Sequence, residues 1–221
     1  MTIYASLSGG LDSTTLVGLL QTPDEPMVGV SFAYGQRHAK ELEAAEKVAE
    51  FYGIEHRVVS LPRLSSPALT DGGPVPHGHY TAASMSLTVV QGRNLLFLST
   101  LVALTEPGDT VGIGVHAGDH AIYADCRPAF IDPLAQAVAA AYQVTVKAPF
   151  LHQTKGQIAA KGNTIGAPLH LSWSCYEGRE IHCGRCGTCV ERIEAFMDAE
   201  VADPTTYADQ GFALAEIEAK R

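Results

Sequence analysis

A glycine-rich segment near the N-terminus has the residue types that bind phosphate. Residues 8–14 read Ser-Gly-Gly-Leu-Asp-Ser-Thr, between an apolar run at 3–7 and the start of a helical pattern. Glycine lets a backbone approach an anion closely, and helix N-terminal N–H groups and hydroxyls donate to phosphate oxygens. Asp12 could hold Mg²⁺ against the same phosphates. We therefore predict a nucleotide site formed by Ser8, Gly9, Gly10, Leu11, Asp12, Ser13 and Thr14.

Two common nucleotide-binding loops do not fit this segment. A Walker loop requires a Lys-Ser or Lys-Thr pair after its glycines, and the dinucleotide fingerprint requires a third glycine three residues after the second. The segment has neither. The remaining alternative is an ordinary strand-to-helix turn in which Asp12 or Ser13 caps the helix.

Four of the five cysteines lie close together near the C-terminus, in the set Cys175, Cys183, Cys186 and Cys189. Four thiolates form closed tetrahedral zinc sites, so we predict one structural Zn²⁺ ion per chain. A [4Fe–4S] cluster also takes four thiolates and remains an alternative. We expect His182, beside the second of these cysteines, to be exposed, and Cys126 to be free.

Along most of the chain, short apolar runs alternate with helical patterns. We predict strands at 3–7, 27–33, 56–61, 110–115 and 144–148, and helices at 12–20, 39–52, 94–104, 128–142 and 154–165. Such alternation favours a Rossmann-like α/β fold, a parallel sheet with helices on both faces. We expect a nucleotide-binding domain at 1–170, then a small zinc-binding subdomain with a helical tail at 171–221. The proline- and glycine-rich segment 62–80 is either a mobile active-site cover or a solvated surface loop.

Charge and hydropathy limit the partners of the chain. It has 221 residues, of which 46% are hydrophobic, and a formal net charge of −9. Tight contact with nucleic acid depends on Lys and Arg, so the acidic balance favours small-molecule substrates and no direct nucleic-acid partner. The N-terminus has no basic region, and no apolar run approaches the roughly 20 residues that cross a bilayer. We therefore expect a cytoplasmic protein without membrane contact.

Residues 8–13 resemble the PP-loop, SGGxDS, of the ATP pyrophosphatases, which cleave ATP between its α and β phosphates. Further segments extend the resemblance: Ser-Phe-Ala-Tyr-Gly-Gln-Arg-His at 31–38, Glu-Leu-Glu-Ala-Ala at 41–45, Gly-Arg-Asn at 92–94, Asp-Cys-Arg-Pro at 125–128, Thr-Lys at 154–155 and Ser-Trp-Ser-Cys-Tyr at 172–176. With the cysteine cluster, these segments are similar to the 7-cyano-7-deazaguanine synthases. The resemblance implies the fold of the adenine nucleotide alpha hydrolases.

The resemblance also implies a C–N ligase that forms AMP and pyrophosphate and makes a nitrile. Such an enzyme converts 7-carboxy-7-deazaguanine and ammonia to 7-cyano-7-deazaguanine, through an adenylated carboxylate and an amide, on the route to queuosine. ATP with Mg²⁺ is the implied cosubstrate, and structural zinc is the implied resident metal. Whether the chain forms a homodimer is left open.

Matching positions suggest roles for individual residues. Asp12, Lys155 and Arg93 are the expected catalytic residues, with the two cations acting on phosphate. A guanine-like edge offers donors to a carboxylate and acceptors to a guanidinium, which suggests base-binding roles for Asp119, Asp125 and Arg127. The alternatives are a solvated lysine at 155 and a loop ion pair among the last three residues.

The chain departs from the family pattern around the expected base site. Family members often read Val-Pro-x-Arg-Asn where residues 90–94 read Val-Gln-Gly-Arg-Asn. They often read Val-Asn-x-x-Asp-Tyr-Ser-Gly-Tyr-Pro-Asp where residues 115–125 read Val-His-Ala-Gly-Asp-His-Ala-Ile-Tyr-Ala-Asp. One alternative is thus an enzyme that activates the same acid but stops at the amide or joins it to another amine, including a protein amine. Two other classes are a PP-loop ligase acting on tRNA and a zinc-bearing binding module without activity.

Overall fold

The computed structural model describes residues 1–36, 40–80 and 86–221. Within them, five strands form one parallel sheet in the order β3-β2-β1-β4-β5. The strands are β1 (Ile3–Ser6), β2 (Met27–Ala33), β3 (Glu55–Ser60), β4 (Thr110–Gly112) and β5 (Thr145–Lys147). The predicted parallel sheet is confirmed. The predicted runs at 110–115 and 144–148 extend beyond the strands, because β4 and β5 pair over three residues only.

Helices connect the strands and continue beyond the sheet. In the described ranges they are α1 (Leu11–Leu20), α2 (Lys40–Tyr52), α3 (Arg93–Ala103), α4 (Pro128–Tyr142), α5 (Lys155–Thr164), α6 (Gly187–Asp198) and α7 (Gln210–Lys220). Short 3-10 turns occupy Ala117–Ala121, Ala124–Cys126 and Leu169–Leu171. The predicted start of the second helix at residue 39, and Arg37 and His38 of the resemblance, lie outside the described residues.

The sheet is covered on both faces, as predicted. Successive side chains of a strand point to opposite faces, so Ile3 and Ala5 of β1 pack in one core while Tyr4 packs in the other. The first core includes buried residues of α1, α2, α5 and α6, and the second includes buried residues of α3 and α4. Two apolar layers therefore hold the carboxyl edge of the sheet in place.

The strand order reverses between β1 and β4, which are neighbours in the sheet. The chain leaves β1 toward α1 and leaves β4 toward the 3-10 turn at Ala117–Ala121. A crevice therefore opens between the two carboxyl ends, which is where open α/β sheets bind their ligands.

The C-terminal segment is held to the sheet by a buried arginine. Arg192 of α6 has no exposed surface, and its guanidinium donates to the Leu169 carbonyl at 3.0 Å and to Ser172 Oγ at 2.9 Å. It also donates to Thr205 Oγ1 at 2.8 Å and lies 3.7 Å from Asp203. Because α6 packs against α5 and α7, these contacts join residues on both sides of position 170. The domain boundary at 170/171 stays a prediction.

The segment at 62–80 is packed rather than solvated over much of its length. Ser66, Ala68, Leu69 and Thr70 are buried, and Ser66 N donates to Thr70 Oγ1 at 2.8 Å. Nearer its end, Gly78 N donates to the carbonyl of Arg185, in the cysteine segment, at 2.8 Å. The solvated-loop alternative is therefore wrong for these residues, and a role as a mobile cover stays a prediction. None of the described helices has the length and apolar composition needed to cross a bilayer.

Candidate functional site

Backbone packing explains why the loop after β1 needs glycine. Gly9 has φ of +80°, and a Cβ there would clash with the Glu41 carbonyl and lie 2.6 Å from the Ala45 nitrogen. Its own carbonyl accepts from Trp173 N at 2.8 Å. Gly10 is the N-cap residue of α1. The loop is therefore tightly fixed against α2 and the C-terminal segment, with the helix N-terminus beside the crevice.

Serine hydroxyls and one carboxylate of this loop face the cavity in the crevice. Ser8, Asp12 and Ser13 line it, and the two serine Oγ atoms lie 3.1 Å apart. Leu11 packs in the core, and Thr14 is fully buried, so the side chains of these two predicted residues lie behind the loop. Any contribution of Gly9, Gly10 and Leu11 to phosphate binding would come from their backbone.

A charged network forms the polar end of the cavity, which we define as Ser8, Asp12, Ser13, His116, Asp119, Lys155 and Glu191. Lys155 Nζ lies 3.4 Å from Asp12 Oδ2 and 2.7 Å from Glu191 Oε2. Burial opposes the charge on Lys155, but the carboxylates of Asp12, Glu191 and Asp119 outweigh it and raise the lysine pKa well above its usual range. Lys155 is thus a fixed cation beside the glycine loop, not a solvated lysine.

His116 connects two carboxylates of the polar end. Its Nδ1 accepts from Gly118 N at 3.1 Å, so in the neutral ring the proton is on Nε2. Nε2 lies 3.8 Å from Asp12 Oδ2 and 3.5 Å from Asp119 Oδ2. The other oxygen of Asp12, Oδ1, is buried and has no hydrogen-bond partner among the described residues. An oxygen of this kind suits a cation brought in with phosphates.

The aromatic end of the cavity, which we define as Tyr34, Glu41, Arg93, Phe97, Tyr123 and Tyr176, contains the second predicted cation. The Arg93 guanidinium lies over the Tyr123 ring, 5.8 Å from its centre, and the rings of Tyr34 and Phe97 are 5.7 Å apart. Burial raises the pKa of Tyr34 while Arg93 opposes the shift, which indicates that these two groups are close. Arg93 is therefore surrounded by aromatic rings, whereas Lys155 contacts the glycine loop.

Only one of the three predicted base-binding residues lines the cavity. Asp119 does, and burial raises its pKa while His116 opposes the shift. Asp125 Oδ2 instead accepts from Asn94 N at 3.0 Å, in the first turn of α3. Arg127 Nε donates to the His120 carbonyl at 2.6 Å. Both side chains hold the local backbone and lie outside the cavity lining, and a role of Asp125 and Arg127 in base contact stays a prediction.

Cys126 is a buried thiol in the wall of the cavity and is separate from the other cysteines. Its Sγ accepts from Asn94 Nδ2 at 3.2 Å. Burial raises its pKa, with the nearby Asp119 and Asp125 carboxylates adding to the shift, so the thiol is neutral at physiological pH.

The sulfur atoms of Cys175, Cys183, Cys186 and Cys189 lie within 4.8 Å of one another, and all four residues are buried. Two of them, on Cys183 and Cys189, are 3.9 Å apart. Thiolates at 2.3 Å from a tetrahedral zinc ion would be about 3.8 Å apart. Backbone N–H groups of Arg185 and Cys186 each donate to Cys183 Sγ at 3.3 Å. The cluster can therefore hold one metal ion.

His182 is buried beside this cluster, so the expectation that it is exposed is wrong. Its ring lies 4.2 Å from that of Trp173, and its Nε2 accepts from Ser174 N at 3.1 Å. The imidazole fills space between aromatic rings and binds a backbone N–H. Burial, with the charge of Arg192 adding to it, lowers the pKa of His182 to about 4.

Some cavity residues were not predicted as site residues from the sequence. Thr188 and Glu191 line the cavity from α6, the helix that also includes Cys189. Glu41 enters it from the first turn of α2. Two of the unpredicted residues had a signal. Glu41 belongs to the segment 41–45 that resembles the family, and His116 follows a strand next to β1, so it falls at the edge of the sheet where ligands bind.

Solved structures include one of low overall similarity to this chain. The U34-tRNA thiolase NcsA from Methanococcus maripaludis, solved with its [4Fe–4S] cluster, is 14% identical with a TM-score of 0.48, over 99% of this chain and 71% of that one.

Sequence relatives match nearly the whole chain. The family model described as queuosine biosynthesis protein QueC matches residues 2–200. A 7-cyano-7-deazaguanine synthase from Ruegeria pomeroyi is 44% identical over 96% of this chain and 97% of its own length. Another, from Brucella anthropi, is 43% identical over 96% of this chain and 95% of its own. The chain belongs to the QueC family.

Proposed function

We propose that this protein is a 7-cyano-7-deazaguanine synthase, which converts 7-carboxy-7-deazaguanine, ammonia and ATP to the nitrile. The observation that carries the proposal is the combination of family membership over residues 2–200 with a cavity in which the loop carboxylate of Asp12 meets Lys155. ATP chemistry needs a cation and a metal-binding carboxylate beside a phosphate loop, and these residues supply both.

The phosphates of ATP would lie at the polar end. Hydroxyls of Ser8 and Ser13 and the N-terminal N–H groups of α1 would donate to phosphate oxygens, while Lys155 would stabilise the charge that develops on the α-phosphate. Mg²⁺ would be held by Asp12, whose unpartnered Oδ1 fits such a ligand, and would neutralise phosphate charge.

The reaction needs two activations. The substrate carboxylate attacks the α-phosphorus of ATP and releases pyrophosphate, then ammonia attacks the acyl carbon, and AMP leaves with loss of a proton. The amide oxygen then attacks the α-phosphorus of a second ATP. Loss of AMP and of both N–H protons leaves the nitrile. A carboxylate and an amide are both poor electrophiles. Adenylation of the oxygen in each conversion turns it into part of a good leaving group, AMP.

We further propose that the four-cysteine cluster holds one Zn²⁺ ion with a structural role. Four thiolates leave no open coordination position, and the buried sulfur atoms fit that arrangement. In this proposal residues 171–221 are a subdomain that also supplies Thr188 and Glu191 to the cavity wall.

The test is to incubate purified protein with 7-carboxy-7-deazaguanine, ammonium and MgATP, and to measure products by mass spectrometry. We expect two AMP and two pyrophosphate per nitrile, with the amide as an intermediate that is itself a substrate. No AMP formation from this acid would refute the proposal.

The same assay decides between the nitrile and the alternative products. His116 lies at the polar end where family members often have asparagine, so the surroundings of the activated acid differ in this chain. Acid consumption without conversion of supplied amide would favour an enzyme that stops at the amide. Coupling to an added amine in preference to ammonium would favour a conjugating enzyme.

A further inference from the structure

Glu41 is a cavity residue whose charge the reaction described above does not use. It lines the aromatic end of the cavity together with Arg93, Tyr34 and Tyr176. Burial raises its pKa to about 7, although the Arg93 charge opposes the shift. The charge of Glu41 in turn contributes to the raised pKa of Tyr34 and of Tyr176, so the Glu41 carboxylate lies among these rings.

The carboxylate of Glu41 is placed to bind a ligand and not another group of the protein. In the parts of the chain that the structure describes, no hydrogen bond or ion pair within 4.0 Å is formed by its side chain. A partly buried carboxylate without such a partner is costly, and donors from a ligand would remove that cost. The surrounding rings favour a flat, aromatic ligand, because stacked or edge-on contacts stabilise one.

The chemistry of a carboxylate selects one kind of base edge. Its two oxygens accept hydrogen bonds and donate none. The guanine-type edge presents two adjacent donors, N1–H and the 2-amino group, which match both oxygens. The adenine edge presents one donor beside the lone pair of N1, which a carboxylate repels. A nearby guanidinium can donate to the 6-oxo group, which is next to N1–H in a guanine-type base.

We propose that Glu41 is a specificity-determining residue that binds the N1–H and 2-amino edge of the 7-deazaguanine substrate, with Arg93 donating to the 6-oxo group. The inference rests on the proposed function and identifies how that site selects its base. In this proposal Glu41, and not Asp125 or Arg127, recognises the base. Arg93 binds the base and not phosphate. The 7-carboxylate is on the other ring, so it faces away from Glu41 into the rest of the cavity.

The experiment combines two substrates with three variants. The substrates are 7-carboxy-7-deazaguanine and its analogue with hydrogen in place of the 2-amino group. Glu41→Gln keeps the size of the side chain but removes one acceptor, and Glu41→Asp keeps the carboxylate. Glu50→Gln is the matched control, because Glu50 is an exposed glutamate of the same helix. AMP formation gives kcat/KM for each acid and KM for ATP, and far-UV circular dichroism checks folding.

A hydrogen bond to a charged group corresponds to a factor of about 10 to 100 in kcat/KM. The unmodified enzyme should therefore prefer 7-carboxy-7-deazaguanine over the analogue without the 2-amino group by that factor. Glu41→Gln should lower kcat/KM for this acid by a similar factor and reduce the preference to about threefold or less, with an unchanged KM for ATP. Glu41→Asp should restore part of the preference, and Glu50→Gln should match the unmodified enzyme.

Two results would overturn the inference. One is a folded Glu41→Gln variant that keeps the full preference for the 2-amino acid. The other is a raised KM for ATP with an unchanged preference, which would mean that Glu41 faces adenine. If the unmodified enzyme forms no AMP with either acid, the proposed function fails, and calorimetric binding of the two acids then decides the inference. Tighter binding of the 2-amino acid that depends on Glu41 supports it, and equal or absent binding refutes it.

Discussion

Replacing Lys155 by methionine tests the polar end of the cavity most directly. The change keeps an unbranched side chain of similar length but removes the cation that lies 3.4 Å from Asp12 and 2.7 Å from Glu191. Removing one preorganised group that stabilises transition-state charge typically lowers kcat by about 100-fold to 1,000-fold. The side chain of Lys155 is 19% exposed, so solvent screens part of its charge. We therefore expect a loss of about 100-fold in kcat/KM for AMP formation, or about 2.7 kcal/mol.

The substitution should also lower stability, because Asp12 and Glu191 lose their shared cation. We expect the free energy of unfolding, measured by urea denaturation, to be about 1–3 kcal/mol lower than that of the unmodified protein. Lys161→Met is the control, since Lys161 lies on the same helix α5 but does not line the cavity. Initial rates of AMP release at saturating ammonium give the comparison. A folded Lys155→Met enzyme within about threefold of the unmodified kcat/KM would refute the assignment of Lys155 to phosphate.

Four further substitutions give separate outcomes. Asp12→Ala should abolish AMP formation and leave the fold intact, because it removes the proposed metal ligand at a helix start; normal turnover in the folded variant would contradict the nucleotide site. Gly9→Ala should lower the unfolding free energy by about 1–3 kcal/mol, since an alanine is strained at positive φ and would clash with α2; unchanged stability would be inconsistent with this backbone. Cys189→Ser should release one zinc ion per chain, measured by elemental analysis, and destabilise the protein; iron and sulfide would exclude zinc. Burial raises the pKa of Glu41 from its ordinary value of 4.5 to about 7 in the folded protein, so the folded state loses stability as pH rises through this range. Glu41→Gln should therefore be more stable than the unmodified protein at pH 8, by at most about 3 kcal/mol, and equal to it near pH 4; an equal difference at both pH values would argue against this titration.

Sequence reasoning succeeded where local pattern determines structure. The glycine loop could be predicted because a tight strand-to-helix turn requires residues such as Gly9 at that place in the chain, whatever surrounds it. The cysteine cluster could be predicted because three of its members are only three residues apart, so their sulfur atoms must be close. The parallel sheet followed from the alternation of apolar runs with helical patterns.

Residues whose roles depend on distant contacts could not be assigned this way. Asp125 accepts from the backbone of Asn94, 31 positions earlier, and no local pattern distinguishes that use from binding a base. The sequence predicts an exposed His182 because the four cysteines already complete a metal site, yet the residue is buried with its ring 4.2 Å from that of Trp173. Glu191 reaches Lys155 from 36 positions away, and only the packing of α6 on α5 brings the two together.

The position of Glu191 changes how the cysteine cluster should be understood. A closed four-thiolate site would leave catalysis to other groups, which suggests that its only effect is on stability. Yet Cys189 belongs to the same turns of α6 as Thr188 and Glu191, which form part of the cavity wall. A helix is stiff over this distance, so a shift of Cys189 moves Glu191, and with it the carboxylate that holds Lys155 Nζ at 2.7 Å. The geometry of the polar end of the cavity therefore depends on the integrity of the cysteine cluster, although in our proposal the cluster has a structural role only.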